Sequence, residues 1–502
     1  MKPDTPDSRP QPLYTAAQTR ELDRLAIEMA GISGYTLMTR AGAAAWERLR
    51  AHWPAARCMV VLCGSGNNGG DGFVLARLAR DAGWRVQVLQ LGEGTRSQDA
   101  ALQARAAFVA AGGQISAFAA AALTDADIIV DALLGTGLER PLAGVWHTAV
   151  EAVNRSARPV FSLDIPTGLH ADTGACLGVT VKATRTITFI GCKQGLVTGQ
   201  GPEYTGGLDF DDLGVPAAVR HQVPVSGYLY QRPPLGALAT PRSRVAHKGQ
   251  HGHVLVVGGA HGMVGAARLA GEAALRTGAG LVSLATRPEH AAAIAAACPE
   301  LMSHGVAGPA ELRPLLARAS IVVAGPGLGA STWARALLGN LLESGKPLVL
   351  DADALNLLAQ EPLARDNWVL TPHPGEAARL LQQDIAMVQG DRFAAVEAIA
   401  ARYGGTVVLK GAGTLTYSAG RPLAVCGAGN PGMATAGMGD VLSGVIAGLS
   451  AQGLELTAAA LTGVCVHACA GDYAARHGER GMTARDVISA VRRIVNGDGD
   501  GV

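Results

Sequence analysis

The sequence predicts two consecutive α/β domains, each built on a parallel β-sheet with helices on both faces. Short apolar runs that read as buried strands alternate with stretches of helical periodicity along nearly the whole chain. The alternation lapses from about Gly206 to Arg244, where Pro216, Pro224, Pro233, Pro234 and Pro241 interrupt regular elements, and then restarts. The 502 residues exceed one ordinary domain and, at 48% apolar and 17% charged, can bury large cores.

The first domain opens with an amphipathic stretch, Thr15 to Leu49, whose Leu22, Leu25, Ala26 and Met29 recur at helical spacing. A buried strand, Met59 to Cys63, leads through a glycine loop to a helix from Phe73 to Ala82 and a second strand from Arg85 to Leu91. Further strands are predicted at Asp127–Val130, Pro159–Leu163 and Arg185–Ile190. The second domain restarts at His253 to Gly258 and continues with strands near Gly280–Ala285, Ile321–Ala324, Pro347–Leu350, Trp368–Leu370 and Thr406–Leu409. No short-period repeat relates the two halves, so they are different α/β domains.

Composition narrows the function. Forty-two basic residues against 41 acidic ones leave no field to recruit nucleic acid or an anionic membrane. The eight cysteines are scattered with no Cys-x-x-Cys pair, which suits buried thiols in a reducing compartment. Cys465 and Cys469 lie near His467 on a helix, but a residue two along points elsewhere, so a metal site is not expected there. His247, His251 and His253 lie in a glycine-rich loop with no thiol or carboxylate beside them, and read as non-ligands. Met1 to Pro12 is polar and Pro-rich, and no run reaches the ~18 apolar residues of a membrane helix. A cytoplasmic, homo-oligomeric protein acting on small molecules is expected, with neither nucleic acid nor membrane as partner.

After the first strand comes Gly64-Ser-Gly66-Asn67-Asn68-Gly69-Gly70-Asp71-Gly72, where backbone N–H groups and a helix dipole can receive a pyrophosphate. A redox dinucleotide domain would place an acid at the end of the second strand to hold the ribose. Here Leu89-Gln90-Leu91 offers none before Glu93, and Asp71 would repel a pyrophosphate, which argues against hydride transfer. Two later strand ends carry polar loops, Asp131 to Pro141 and Asp164-Ile-Pro-Thr167-Gly168. Turn chemistry and helix capping explain one such loop but poorly explain three in one domain.

These residues resemble the NAD(P)H-hydrate epimerases over roughly Tyr14 to Gly206, a Rossmann-like three-layer fold. The string Asn67 to Asp71 is the most specific part, joined by the Asp131 loop, the Asp164 loop, and Thr188-Phe189 leading to Lys193. The resemblance implies substrate contacts from Asn67, Asn68, Gly69, Gly70, Asp71, Gly135, Thr136, Gly137, Leu138, Glu139, Arg140, Pro141 and Asp164. It implies potassium ligation by Asn68, Asp131 and Thr167, proton transfer by Asp164, and assistance from Lys193. Thr39 departs from the family, which usually carries an acid there.

The second half ends in Asn430-Pro-Gly432-Met-Ala-Thr-Ala-Gly437-Met-Gly439-Asp440, directly before an apolar helix from Val441 to Leu449. A Gly-x-Gly-Asp unit on a helix N-terminus forms an anion hole, and Asp440 beside it can take a hydroxyl proton as phosphate transfers. The bland alternative is that Asp440 only caps the helix. Lys410-Gly411-Ala412-Gly413-Thr414 follows a buried strand. Asp351 and Asp353, Thr371 to Glu376, and Gly325 to Gly329 end others.

These motifs resemble the ribokinase-like superfamily over roughly Val245 to Ile494 and, within it, the NAD(P)H-hydrate dehydratases. Sugar kinases of that fold carry an Asn-x-x-Glu string; here His373 takes the Asn place before Glu376, which favours the dehydratase branch. The resemblance assigns Lys410, Gly411, Ala412, Gly413, Thr414 and Gly439 to an adenine nucleotide. It assigns Ala266, Gly327, His373 and Asp440 to the hydrated nicotinamide, with Asp440 catalytic. ADP with Mg2+ is the expected co-substrate from the order of the halves, although the residues themselves fit ADP or ATP. The expected boundaries are 1–222 for an epimerase domain and 236–498 for an ADP-dependent dehydratase domain. Together they would repair hydrated NADH and NADPH. A vitamin-precursor kinase fused to a scaffold is the alternative, opposed by His373 and by intact Asn68, Asp131 and Asp164.

Overall fold

The computed structural model describes residues 9–92, 99–238 and 241–497, so Glu93 lies outside the described residues. Two compact units divide within a strand at Gly227–Tyr230, the first comprising Gln11–Tyr228.

The main sheet of the first unit has seven parallel strands: β1 (Cys58–Cys63), β2 (Arg85–Gln90), β3 (Ile115–Ala117), β4 (Ile128–Ala132), β5 (Val160–Leu163), β6 (Arg185–Phe189) and β7 (Gly207–Asp211). Their spatial order is β3-β2-β1-β4-β5-β6-β7, a doubly wound sheet with its switch point between β1 and β4. Alternate residues of β1 feed different cores. Met59, Val61 and Cys63 join one cluster with Phe73 and Phe108, while Val60 and Leu62 join another with Ile129 and Val150. Each such fully buried Val or Leu contributes about 1.5–3 kcal/mol. The region predicted to lack periodicity therefore supplies β7. Only five residues long and partly exposed throughout, it carries too little apolar pattern to be seen.

The second unit repeats the plan with β8 (His253–Val257), β9 (Leu281–Thr286), β10 (Met302–Gly305), β11 (Ile321–Ala324), β12 (Leu348–Leu350), β13 (Trp368–Leu370) and β14 (Thr406–Leu409). An antiparallel pair, β15 (Thr414–Ser418) and β16 (Leu423–Cys426), extends it, giving β10-β9-β8-β11-β12-β13-β14-β15-β16. The alternating α/β reading missed this pair and the short strands β3 and β10.

Two local expectations change. The stretch from Thr15 to Leu49 is two helices, Ala16–Glu28 and Gly34–His52, separated where Gly31 takes φ +65°. The helix expected from Phe73 begins at Asn67. Gly69 and Gly72 permit this, because a Cβ would lie 2.1 Å from the Gly64 carbonyl oxygen and 2.6 Å from the Ala132 Cβ respectively.

Candidate active sites at two sets of strand ends

In the first unit the polar loops converge at the carboxyl ends of β1, β4, β5 and β6. Asn67 to Asp71 form the opening turn of the helix Asn67–Asp81, whose N-cap is Gly66 with no side-chain cap. Burial, reinforced by Asp164 and Asp23, pushes Asp71 well above the usual carboxylate range. That shift favours the neutral acid and so lessens the repulsion expected from its charge.

Asp131 is fully buried and saturated with donors. Its oxygens accept from the Thr167 hydroxyl at 2.7 Å, the Thr167 backbone N–H at 2.9 Å and the Ser162 hydroxyl at 2.9 Å. Burial nonetheless leaves its pKa raised. Asn68 is buried with neither side-chain oxygen nor nitrogen hydrogen-bonded, and a Cβ on Gly135 would lie 3.8 Å from its Cγ and 3.7 Å from Asp164 Oδ2. A buried amide oxygen without a partner, in the same set of strand-end loops as Asp131 and Thr167, is a donor that fits a hard monovalent cation.

Asp164 is a non-glycine residue at φ +64°, a strained conformation that aspartate tolerates better than most. Lys193 Nζ donates to Asp164 Oδ1, to Thr188 Oγ1 at 3.1 Å and to the Phe189 carbonyl at 3.0 Å. The lysine side chain is 1% exposed and the aspartate 18%, so the carboxylate faces outward. In the loop after β4, Glu139 pairs with His170 at 3.2 Å, while Arg140 and Pro141 are exposed. Thr39 bonds its own helix, donating to the Tyr35 carbonyl at 2.8 Å.

Sequence reasoning missed Asp23. It lies on the helix Ala16–Glu28, where burial raises its pKa to about 6 and the charges of Lys193 and Asp164 reach it.

The second unit presents a cleft of about 390 Å3 lined by Asp351, His373, Glu376, Lys410, Gly439 and Asp440, among others. Gly437, at φ +89°, is the N-cap of the helix Met438–Ala451 and offers no side-chain cap. Asp440 is thus the third helical residue rather than the cap, and the first N–H groups remain open for an anion. Small residues hold this helix close to the helix Val264–Thr277: a Cβ on Gly444 would lie 2.1 Å from the Ala270 carbonyl oxygen. At Gly439 a Cβ would sit 3.1 Å from Lys410 Nζ.

Lys410 Nζ bonds Asp351 Oδ1 at 2.6 Å and lies 3.8 Å from Glu376, while the Ser443 hydroxyl donates to Asp351 Oδ2 at 2.9 Å. Burial alone would raise Asp351, but Lys410 holds it below the usual carboxylate range. Here the aspartate is 2% exposed and the lysine 19%. Burial, with Asp351 reinforcing it, raises Asp440 to about 7. His373 caps the helix Pro374–Leu381, its Nδ1 accepting from the Gly375 N–H at 3.0 Å, which leaves the proton of the neutral ring on Nε2. Burial, helped by Lys410, lowers its pKa and keeps the ring neutral. Asp353 accepts from the Gly329 N–H at 2.8 Å and so fixes the glycine loop after β11.

The cleft gathers His373, Lys410, Gly411, Gly439 and Asp440, whereas Ala266, Gly327, Ala412, Gly413 and Thr414 are not among its lining residues. Ala266 lies in the first turn of the helix Val264–Thr277, and Gly327 lies in the loop after β11, where its carbonyl accepts from the Ala260 N–H at 2.6 Å. Thr414 opens β15. Neither His247, His251 and His253 nor Cys465, His467 and Cys469 form a metal-ligand group among the described residues, where His261, Glu289 and His290 do converge. All eight cysteines are free thiols. Among the described residues no helix is long and apolar enough to cross a membrane.

Comparison with known proteins agrees with this division. A family model described as YjeF-related protein N-terminus matches residues 34–195, and one described as NAD(P)H-hydrate dehydratase matches residues 254–493. A bifunctional NAD(P)H-hydrate repair enzyme of Coxiella burnetii is 49% identical, covering 96% of this chain and 99% of its own. Its Escherichia coli counterpart is 45% identical over 98% and 95%. A Bacillus subtilis ADP/ATP-dependent NAD(P)H-hydrate dehydratase, co-crystallised with ATP/Mg2+, is 26% identical, covering 51% of this chain and 92% of its own with a TM-score of 0.45. With near-complete coverage of two such relatives, the chain belongs to the bifunctional NAD(P)H-hydrate repair enzymes, with an epimerase half followed by a dehydratase half.

Proposed function

We propose that residues 1–222 epimerise the R and S forms of hydrated NADH and NADPH, that residues 236–498 dehydrate the S form at the expense of ADP, and that an inverted lysine–aspartate pair separates the two chemistries. The inversion is the observation that carries this reading. In the first unit the lysine is 1% exposed and the aspartate 18%; in the second the lysine is 19% exposed and the aspartate 2%. An outward carboxylate exchanges protons, and an outward ammonium receives phosphate.

In the dehydratase cleft, Lys410 and the open helix N-terminus at Gly439 hold the nucleotide phosphates. Asp440, poised near neutrality, takes the proton of the C6 hydroxyl as the β-phosphoryl group of ADP transfers to that oxygen and AMP leaves. Phosphate then departs with loss of the C5 proton, restoring the ring double bond. His373 Nε2–H can donate to the bound nicotinamide. Mg2+ binds such sites through phosphates and one or two carboxylates, which the acids lining this cleft can supply. In the epimerase site Asn68, Asp131 and Thr167 would hold potassium, which supplies a fixed positive charge beside the substrate. A homo-oligomeric, cytoplasmic enzyme is part of the same proposal.

The direct test is Asp440→Asn with purified S epimer and ADP. Dehydration falls about 10²–10⁴-fold, while calorimetry still records ADP binding; turnover near the parent rate would refute the assignment. Potassium is tested separately: replacing it with sodium slows epimerisation by the parent, and Asp131→Ala removes that dependence. A parent enzyme indifferent to the exchange would end the potassium reading.

A further inference from the structure

The helix Ala16–Glu28 lies outside the residues matched by the epimerase family model, which begin at 34, yet it belongs to the epimerase site. The ladder Leu13↔Cys192 and Tyr14↔Lys193 seats its entry directly beside Lys193. The Ala16 N–H donates to Asp172 at 2.6 Å and fixes its first turn. The Leu22 side chain packs so closely at Gly191 that a Cβ there would lie 3.3 Å from it. Ala16, Thr19, Leu22 and Ala26 form the buried face, and Asp23, one turn on from Thr19, falls on that face.

A carboxylate on the apolar face of a helix is costly unless something uses it. We propose that Asp23 is the general base of the epimerase, working opposite the Lys193–Asp164 pair across the substrate. This inference rests on that pair being the reaction centre. Asp164 is committed to an ion pair with the buried Lys193 ammonium. Asp23 carries no such direct partner, and burial places it near pH 6, close to where a general base works best. The groups facing it are Lys193 and Asp164, with Asp71 coupled to the same set. Arg220, on the short helix Ala217–Arg220 packed against its own helix, is occupied by Asp212.

The chemistry balances. C6 of the hydrated ring bears a hydroxyl and the ring nitrogen N1. Asp23 takes the hydroxyl proton as the C6–O bond becomes a carbonyl and the C6–N1 bond breaks, and N1 receives a proton from the Lys193–Asp164 pair. The carbonyl turns its other face, N1 attacks and returns its proton to the pair, and Asp23 returns its proton to the oxygen. No oxidant or co-reactant is needed.

The experiment measures R-to-S conversion by chromatography against pH for the parent, Asp23→Asn, Asp23→Glu and Asp164→Asn, with spontaneous conversion subtracted. Dehydration of pure S epimer checks that each chain is intact. In the parent, kcat rises with pH to a plateau above about 6, the value set by Asp23. Asp23→Asn lowers kcat about 10²–10⁴-fold, with KM little changed, and loses that limb; Asp23→Glu recovers part of the rate and the limb. An Asp23→Asn enzyme within threefold of the parent, alongside a collapsed Asp164→Asn, overturns the base and leaves the Asp164 centre standing. Loss in Asp23→Asn without recovery in Asp23→Glu, and with the limb unchanged, assigns a merely structural role and overturns it equally. Full activity in both Asn variants overturns the reaction centre itself.

Discussion

Both units place a lysine–aspartate pair at the carboxyl ends of parallel strands and bury opposite ends of it. Lys193–Asp164 joins residues at or just beyond the carboxyl ends of the neighbouring strands β5 and β6, while Lys410–Asp351 joins the ends of β12 and β14 across the intervening β13. In the first unit two further acceptors, Thr188 Oγ1 and the Phe189 carbonyl, hold the lysine down inside the fold. In the second, the Ser443 hydroxyl holds the aspartate, and the lysine reaches past it toward the glycine turn at Gly439. A salt bridge by itself therefore says little about chemistry. What matters is which partner the surrounding donors and acceptors have committed to the interior.

That contrast can be broken most forcefully through the lysines. Lys410→Met strands Asp351, 2% exposed, as an uncompensated buried charge and costs the dehydratase unit about 3–5 kcal/mol. Lys193→Met leaves Asp164, already 18% exposed, able to reach water, so the epimerase unit loses about 1 kcal/mol while its rate collapses. Denaturant unfolding of the two variants checks this, and Lys410→Met combined with Asp351→Asn regains most of the loss. Equal costs at the two sites would erase the asymmetry.

A smaller effect sharpens the comparison through pH. If Asp440 is the base proposed above, dehydration rises with pH to a plateau above about 7. Its folded pKa lies above the unfolded carboxyl value. The stability it contributes is therefore complete below that unfolded value and is lost as pH rises through about 7. Asp440→Asn, which cannot ionise, gains on the parent in melting temperature over that window and shows no such gain at pH 4. A constant difference across pH would contradict the burial argument.

Much of this was legible in the sequence because backbone chemistry leaves strong marks. The strands Ile321–Ala324, Trp368–Leu370 and Thr406–Leu409 are almost wholly apolar and are followed within two residues by Gly or Pro. The Asn67-to-Asp71 string and Gly-Met-Gly-Asp440 show themselves because helix N-termini that bind anions need glycine. What stayed hidden depends on contacts between distant residues. The Asp351–Lys410 pair spans 59 residues, and nothing in Asp351-Ala-Asp353 tells that the first acid meets the lysine and the second a backbone N–H. Asp23 sits in Arg-Glu-Leu-Asp-Arg, a string that reads as a solvated helix face until the fold buries it. Burial likewise shifts Asp71 toward its neutral form, which no local pattern in the string reveals.

One measurement tests most directly whether each exposed partner runs its own reaction. An S/R mixture of hydrated NADH is incubated with ADP, and both epimers are followed by chromatography. The parent consumes the mixture completely. Asp164→Ala stops near the S fraction, because the Lys410 and Asp440 cleft is intact while the outward carboxylate of the first unit is gone. Asp440→Asn consumes almost nothing, and adding it to Asp164→Ala restores full consumption in trans. If Asp164→Ala alone clears the R epimer at the parent rate, beyond spontaneous conversion, the outward carboxylate of the first unit is not its catalytic group.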